Sequence, residues 1–212
     1  MKRILTLLVA VIATVNLSAQ DLRWGPAAGI NFAWAHFSNK ASTSDCYIGF
    51  NAGVKAEYDM SQYITDGFLL DARLLYTLKG GQWAGSQHHN LGYLELPINL
   101  TYRYDMGGDV KLFGGLGPYL GLGVLGKHVQ KVDGAKVKSD LFGELYKRFD
   151  FGLNYNLGVE MWDNWQFFIG FEHSLLNSMK SGGDFPDGGD GGDYKKFKMR
   201  PLNFYIGTAF IF

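Results

Sequence analysis

The stretch YIGFNAGVKAEYD (47–59) decides the fold. Ile48, Phe50, Ala52, Val54, Ala56 and Tyr58 alternate with Gly49, Asn51, Gly53, Lys55, Glu57 and Asp59. A strict period of two is the signature of a strand with two unlike faces, because successive side chains leave a strand on opposite sides. The run is also longer than the usual strand of a globular domain.

The same period recurs along the chain. Leu70, Ala72, Leu74, Tyr76 and Leu78 alternate with Asp71, Arg73, Thr77 and Lys79 in 68–79. Segments 93–104, 148–161 and 165–174 repeat the pattern, and 24–36 and 110–125 carry it diluted by glycine and alanine. With the closing run 202–212 the count is about eight strands. Each is about the 10–14 residues that a tilted strand needs to cross a bilayer. The links near 60–67, 105–109 and 163–164 are short, and those near 37–46, 80–92, 127–147 and 175–199 are long. Aromatic residues gather at the ends of the apolar faces: Trp24, Trp34, Tyr58, Phe68, Tyr102, Tyr104, Trp165 and Phe204. Strand length, alternating link length and aromatic girdles together predict an all-β, eight-stranded, antiparallel up-and-down transmembrane barrel with short periplasmic turns and long extracellular loops. A soluble β-sandwich or a lipocalin-like barrel would show the alternation without the girdles.

Composition agrees. Of 212 residues, 16% are aromatic and 19% charged, with 29 glycines and a formal net charge of +0. No basic excess suggests nucleic acid as a partner. The single Cys46 allows no disulfide within the chain. Lys2 and Arg3 precede the apolar run ILTLLVAVIATV and the small-residue stretch NLSAQ. That order predicts a cleaved export signal over 1–19 and an outer-membrane barrel domain over 20–212. The expected location is the cell outer membrane.

The polar phase of the strands then faces a lumen. It carries Lys55, Glu57, Asp71, Arg73, Lys79, Glu95, Arg103, Lys111, Asp150, Glu160 and Glu172. Phe113, Tyr119, Trp162, Phe168 and Tyr205 fall on the same phase, and Gly115, Gly117, Gly121 and Gly123 should leave space beside them. Eight strands enclose only enough room for side chains. Enclosed charges must be paired or hydrated. The expected lumen is a plug of ion pairs and aromatic rings with no wide aqueous channel.

The segments YLELPINLTYRYD (93–105), LFGGLGPYLGLGV (112–124) and DFGLNYNLGVEM (150–161), followed by the closing RPLNFYIGTAFIF (200–212), resemble the PorT-type outer-membrane β-barrel family. The resemblance spans about 22–212. It implies an eight-stranded barrel in a Gram-negative outer membrane and a link to envelope transport or protein secretion. It carries no catalytic motif.

Few constellations suggest chemistry. Ser174 and His173 are adjacent, so a strand sends them to opposite faces, whereas a hydrolytic triad needs its groups in mutual reach. Glu172 would share a face with Ser174. Asp184, Asp187, Asp190 and Asp193 recur every third residue among glycines, without the spacing of an EF-hand loop. His88 and His89 are neighbours on an extended segment and point apart. Lys127, Lys131, Lys136 and Lys138 make a basic segment that could meet lipopolysaccharide phosphates. GGLGPYLGLG continues a strand and opens no helix, so it is no phosphate loop. No catalytic, cofactor-binding or metal-binding residue is assigned, and no cofactor is expected. The expected protein is non-enzymatic and displays loops or anchors partners. A narrow porin-like channel or transporter is the first alternative, and a membrane-embedded lipid-modifying enzyme the second. The expected partners are outer-membrane lipids and lipopolysaccharide, envelope or secretion proteins, and the barrel-insertion machinery. That machinery would meet the last strand, where Leu202, Phe204, Ile206, Thr208, Phe210 and Phe212 form the outward phase and the first strand, near 24–36, should be the neighbour.

Overall fold

A computed structural model describes residues 22–37, 46–83, 87–132, 135–140, 142, 146–178 and 199–212. The strands are β1 (Leu22–Phe37), β2 (Tyr47–Asp59), β3 (Phe68–Trp83), β4 (Gln87–Asp105), β5 (Val110–Val132), β6 (Ala135–Asp140), β7 (Phe149–Met161), β8 (Trp165–Ser174) and β9 (Met199–Phe210). Every pairing between them is antiparallel. The order runs β4-β3-β2-β1-β9-β8-β7-β5, and β4 also pairs with β5, which closes eight strands into a barrel. Closure satisfies the backbone along every edge, as hydrocarbon demands.

Two expectations need correction. The links expected over 80–92 and 127–147 are partly strand. β3 and β4 run on as a ladder from Lys79↔Leu91 to Trp83↔Gln87. β5 continues past the barrel and pairs with β6, the ninth strand among the described residues, from Lys127↔Asp140 to Val132↔Ala135. Hairpin pairing satisfies backbone groups that a loop would leave to water, so the alternation persists above the membrane.

The faces separate as the period requires. Outward stand Ile30, Phe50, Val54, Leu74, Leu100, Leu116, Leu157 and Ile169, all exposed on the barrel's outer surface. Inward stand Lys55, Asp71, Arg73, Glu95, Glu160 and Glu172, all buried. Tyr58, expected in the girdle, is buried instead; the ladders place Leu22 and Leu70 directly beside it. Trp162, expected in the lumen, is exposed in the β7–β8 turn with φ 53°. Positive φ at Trp162 and at Asp163 (60°) breaks the strand alternation there, so phase counting fails at that point.

The end of the chain closes the barrel as expected. β9 pairs with β1 from Ala27↔Ala209 to Phe37↔Met199. Asn203, Tyr205, Gly207 and Ala209 face in. The strand proper stops at Phe210, yet the last two residues are still held. The Ile211 N–H donates to the Asn164 carbonyl at 2.9 Å, and the Asn164 amide donates back to the Ile211 carbonyl at 2.6 Å. The Phe212 N–H donates to the Trp24 carbonyl at 2.9 Å. Its ring lies 6.0 Å from Trp24 and 5.2 Å from Phe210, edge-on to both. Removing Phe212 loses one hydrogen bond and two ring contacts, about 1–3 kcal/mol. We expect the deletion to lower the heat-modifiable, folded fraction in membranes several-fold; an unchanged band shift between boiled and unboiled samples would show that the terminal ring is dispensable.

Candidate functional site: the lumen

The lumen is assembled from positions of one phase on all eight barrel strands. At the periplasmic end, Glu160 takes hydrogen bonds from Arg23 (2.7 Å), Arg103 (2.7 Å) and Gln166 (2.7 Å). Glu57 is held by Arg23 at 3.2 Å, Lys55 at 3.0 Å and Arg103 at 3.3 Å. Two arginines from β1 and β4 therefore clamp carboxylates from β2 and β7 across the barrel. At the mouth, Lys111 donates to Asp163 at 2.6 Å. That hydrogen bond, with the ammonium charge, holds the Asp163 carboxyl below the usual carboxylate range.

Higher up, Asp71 lies between Lys55 (3.1 Å) and Arg73 (3.4 Å). The two cations also rest on rings: Lys55 Nζ is 4.8 Å from the Phe113 centroid, and the Arg73 guanidinium is 5.2 Å from Phe168. Such contacts recover part of the attraction that water would have supplied. Tyr205 fits beside Arg73 because Gly170 has no side chain; a Cβ there would come within 2.1 Å of the Tyr205 ring.

In the extracellular half, Lys79 Nζ bridges Glu95 at 2.5 Å and Glu172 at 2.6 Å, linking β3 to β4 and β8. The ammonium sits 5.0 Å from the Tyr119 centroid. Asp150 accepts from the Tyr119 hydroxyl at 2.9 Å and from the Ser174 hydroxyl at 2.5 Å. A cavity of about 10 Å³ remains between Arg73, Thr77, Glu95, Glu172 and Asn203, room for one water.

A cap covers this end. Phe142 and Tyr146, from the segment before β7, are buried at 4% and 1% exposure. The Phe142 ring packs edge-on against Tyr93 at 5.4 Å. It occupies the notch at Gly123, where a Cβ would lie 2.4 Å from the ring. The glycines expected to leave open space thus face neighbours that fill it: Phe142 at Gly123, and the Thr101 hydroxyl, 2.2 Å from a Cβ built at Gly115. The cap was not visible in the alternation, since Phe142 and Tyr146 belong to no long strand. The aromatic-plus-glycine pairing of FGEL with GLGV was its only trace.

The expected placements can now be compared. Of the eleven lumen charges expected, Lys55, Glu57, Asp71, Arg73, Lys79, Glu95, Asp150, Glu160 and Glu172 are buried, and Arg103 and Lys111 line the periplasmic mouth. Arg23 joins them; it was not foreseen, because its strand begins only one residue earlier. Ser174 is fully buried inside, whereas His173 is half-buried on the other face, opposite Leu153 and Leu202. The two are not brought together. His88 and His89 follow one another in β4, opposite Val129 and His128. Among the described residues no three His, Cys, Asp or Glu side chains are grouped to hold a metal ion. The Asp184, Asp187, Asp190 and Asp193 repeat lies outside the described residues.

A closed antiparallel barrel, apolar outside and ionic inside, is the architecture of an outer-membrane protein. The family model described as outer membrane protein beta-barrel domain matches residues 5–210. The chain belongs to this family. Its place is accordingly the Gram-negative outer membrane. Among solved structures, the chain is similar to Ail, the attachment invasion locus protein of Yersinia pestis, at 14% identity and a TM-score of 0.47, covering 90% of this chain and 98% of that one. It is similar to Neisserial surface protein A at 16% identity and a TM-score of 0.45, covering 90% and 99%. It is also similar to OprG from Pseudomonas aeruginosa at 12% identity and a TM-score of 0.40, covering 90% and 94%. A search of curated proteins finds no match.

Lys79 has two buried carboxylates and a ring as its surroundings, so truncating it strands uncompensated charge. We expect Lys79→Met to destabilise the refolded barrel by about 3–5 kcal/mol, read as a lower urea midpoint in lipid vesicles. A midpoint within error of the parent would mean that water, not Lys79, neutralises Glu95 and Glu172.

Proposed function

We propose that this barrel is a non-enzymatic membrane anchor that displays extracellular structure and holds envelope partners, rather than a conduit. The observation that carries the reading is the filled lumen. Three successive ionic layers, at Glu160, Asp71 and Lys79, lie along one axis, and the Phe142–Tyr146 cap lies over the last. A solute pathway would need a wet, continuous lumen, and each layer here spans from one wall to another.

Hydrolytic chemistry lacks support on the same ground. The one buried serine beside a carboxylate, Ser174 with Asp150, has its histidine neighbour on the opposite face. The likeness of 93–105, 112–124 and 150–161 to PorT-type barrels supports envelope transport or protein secretion as the process in which its partners work. Residues 1–19 then serve as a cleaved export signal and 20–212 as the barrel domain. The last strand, ending on Phe212, is the segment that the barrel-insertion machinery would meet.

The test is conductance. The purified, refolded protein in planar bilayers is expected to give no stable single-channel steps; steady porin-like steps would replace the anchor reading with the channel one.

A further inference from the structure

The basic segment beyond the barrel gains a definite geometry from the ladder. In β5 the inward phase is odd-numbered as far as Gly123: Phe113, Tyr119 and Gly121 are buried, and Leu116, Pro118 and Leu122 are exposed. Between Gly92 and Tyr93 of β4 the register shifts: Tyr93 pairs with Gly123, whereas Gly92 pairs with Leu125. Val124 is the extra residue of a β-bulge. One extra residue reverses the phase of everything after it. The reversal is directly visible at the next two positions. Leu125 is 55% exposed, and Gly126 is buried against Phe142 under the cap.

Carried onward, the new phase puts Lys127, Val129 and Lys131 on the outward face of β5. The β6 ladder supplies their partners: Lys127↔Asp140, Val129↔Lys138 and Lys131↔Lys136. All four lysines of the segment therefore share one face of the hairpin, with Asp140 as the counter-charge in its ladder. His128, Gln130, Val132, Ala135, Val137 and Ser139 make up the other face, which carries neither Lys nor Asp. Without the bulge, the lysines of β5 would stand over the lumen.

Like charges directly opposed on a ladder, as Lys131 and Lys136 are, destabilise a hairpin. An anion on that face would remove the cost. The position says which anion. The face continues the lipid-facing surface upward from Leu122, Val124 and Leu125. From Val110 to Lys127 a tilted strand climbs about 40 Å along the axis, against about 25 Å for the apolar band. The lysines thus stand on the outside of the barrel, just above the hydrocarbon, facing the head groups of neighbouring lipids rather than the mouth of the barrel.

We propose that the outward face of the β5–β6 hairpin, with Lys127, Lys131, Lys136 and Lys138, is a binding site for the phosphate groups of lipopolysaccharide in the surrounding outer leaflet. Lysine suits this role as a compact ammonium that pairs with phosphate without a fixed fork geometry. The site is independent of the lumen, so it stands whether the barrel anchors or conducts.

The test uses the full barrel refolded in detergent, with heat-modifiable migration as the check of folding. Binding to immobilised lipopolysaccharide is compared with binding to the same material after chemical removal of its phosphates. The parent should prefer the phosphorylated form, and the variant carrying K127Q, K131Q, K136Q and K138Q should lose at least tenfold in affinity for it. Should the fourfold variant fail to fold, the pairs K127Q/K131Q and K136Q/K138Q replace it, each expected to lose at least threefold. Equal affinity of parent and folded variant, or equal binding of phosphorylated and dephosphorylated material, overturns the proposal. Displacement by inorganic phosphate at equal phosphate concentration would reassign the face to a soluble anion and overturn the lipid assignment as well.

Discussion

Hydrocarbon offers no hydrogen bonds, and that absence organises this molecule. A backbone N–H or C=O facing lipid alone is too costly to keep, so the sheet must return on itself and β9 must find β1. Closure then fixes the second constraint. Eight strands enclose a space that side chains fill, and the inner phase of this sequence is ionic. Charges so enclosed cannot be left single. The periplasmic clamp on Glu160, the Lys55–Asp71–Arg73 row and the Lys79 bridge are consequences of closure around that particular phase.

The ion pairs are better read as devices for specificity than as reserves of stability. Desolvation offsets much of their Coulombic attraction, whereas misplacing any one of them strands a charge. A slip of one residue in any ladder would send Lys55, Glu57, Asp71 and Arg73 into lipid and draw their apolar neighbours inside. The lumen thus locks the register that the lipid face alone would only favour. The same layers block the bore, so the feature that fixes the fold also supports the proposed role as an anchor.

Much of this was legible in the sequence, for a simple reason. A barrel in lipid writes its two faces at a period of two, and both faces here are chemically extreme. The bounds of β2 and β8, ten of the eleven inward charges within β2 to β8 and the β1–β9 seam all follow from that rule; the eleventh, Lys111, follows it to the mouth. The rule fails where the period does. Trp162 sits at positive φ in a turn, so its parity means nothing. Val124 is a bulge, so the phase assigned to 110–125 does not extend to Lys127. Phe142 and Tyr146 are placed by a glycine notch rather than by alternation, and the cap was invisible for that reason. The basic segment was recognised as basic, but its single-faced arrangement depends on the bulge and on the pairing with β6, neither of which a one-dimensional pattern contains.

The central claim is that the lumen is closed by direct contacts between buried charges in the membrane-embedded protein. Solid-state magnetic resonance can measure this in lipid bilayers, through the dipolar coupling between the lysine ¹⁵Nζ and the glutamate ¹³Cδ nuclei, assigned with Lys79→Arg and Glu172→Gln. The account predicts a rigid Lys79 ammonium within about 4 Å of both Glu95 and Glu172 carboxyl carbons, as direct charged hydrogen bonds require. A Lys79 signal averaged by motion, exchanging rapidly with water and coupled to neither carboxylate, would contradict it.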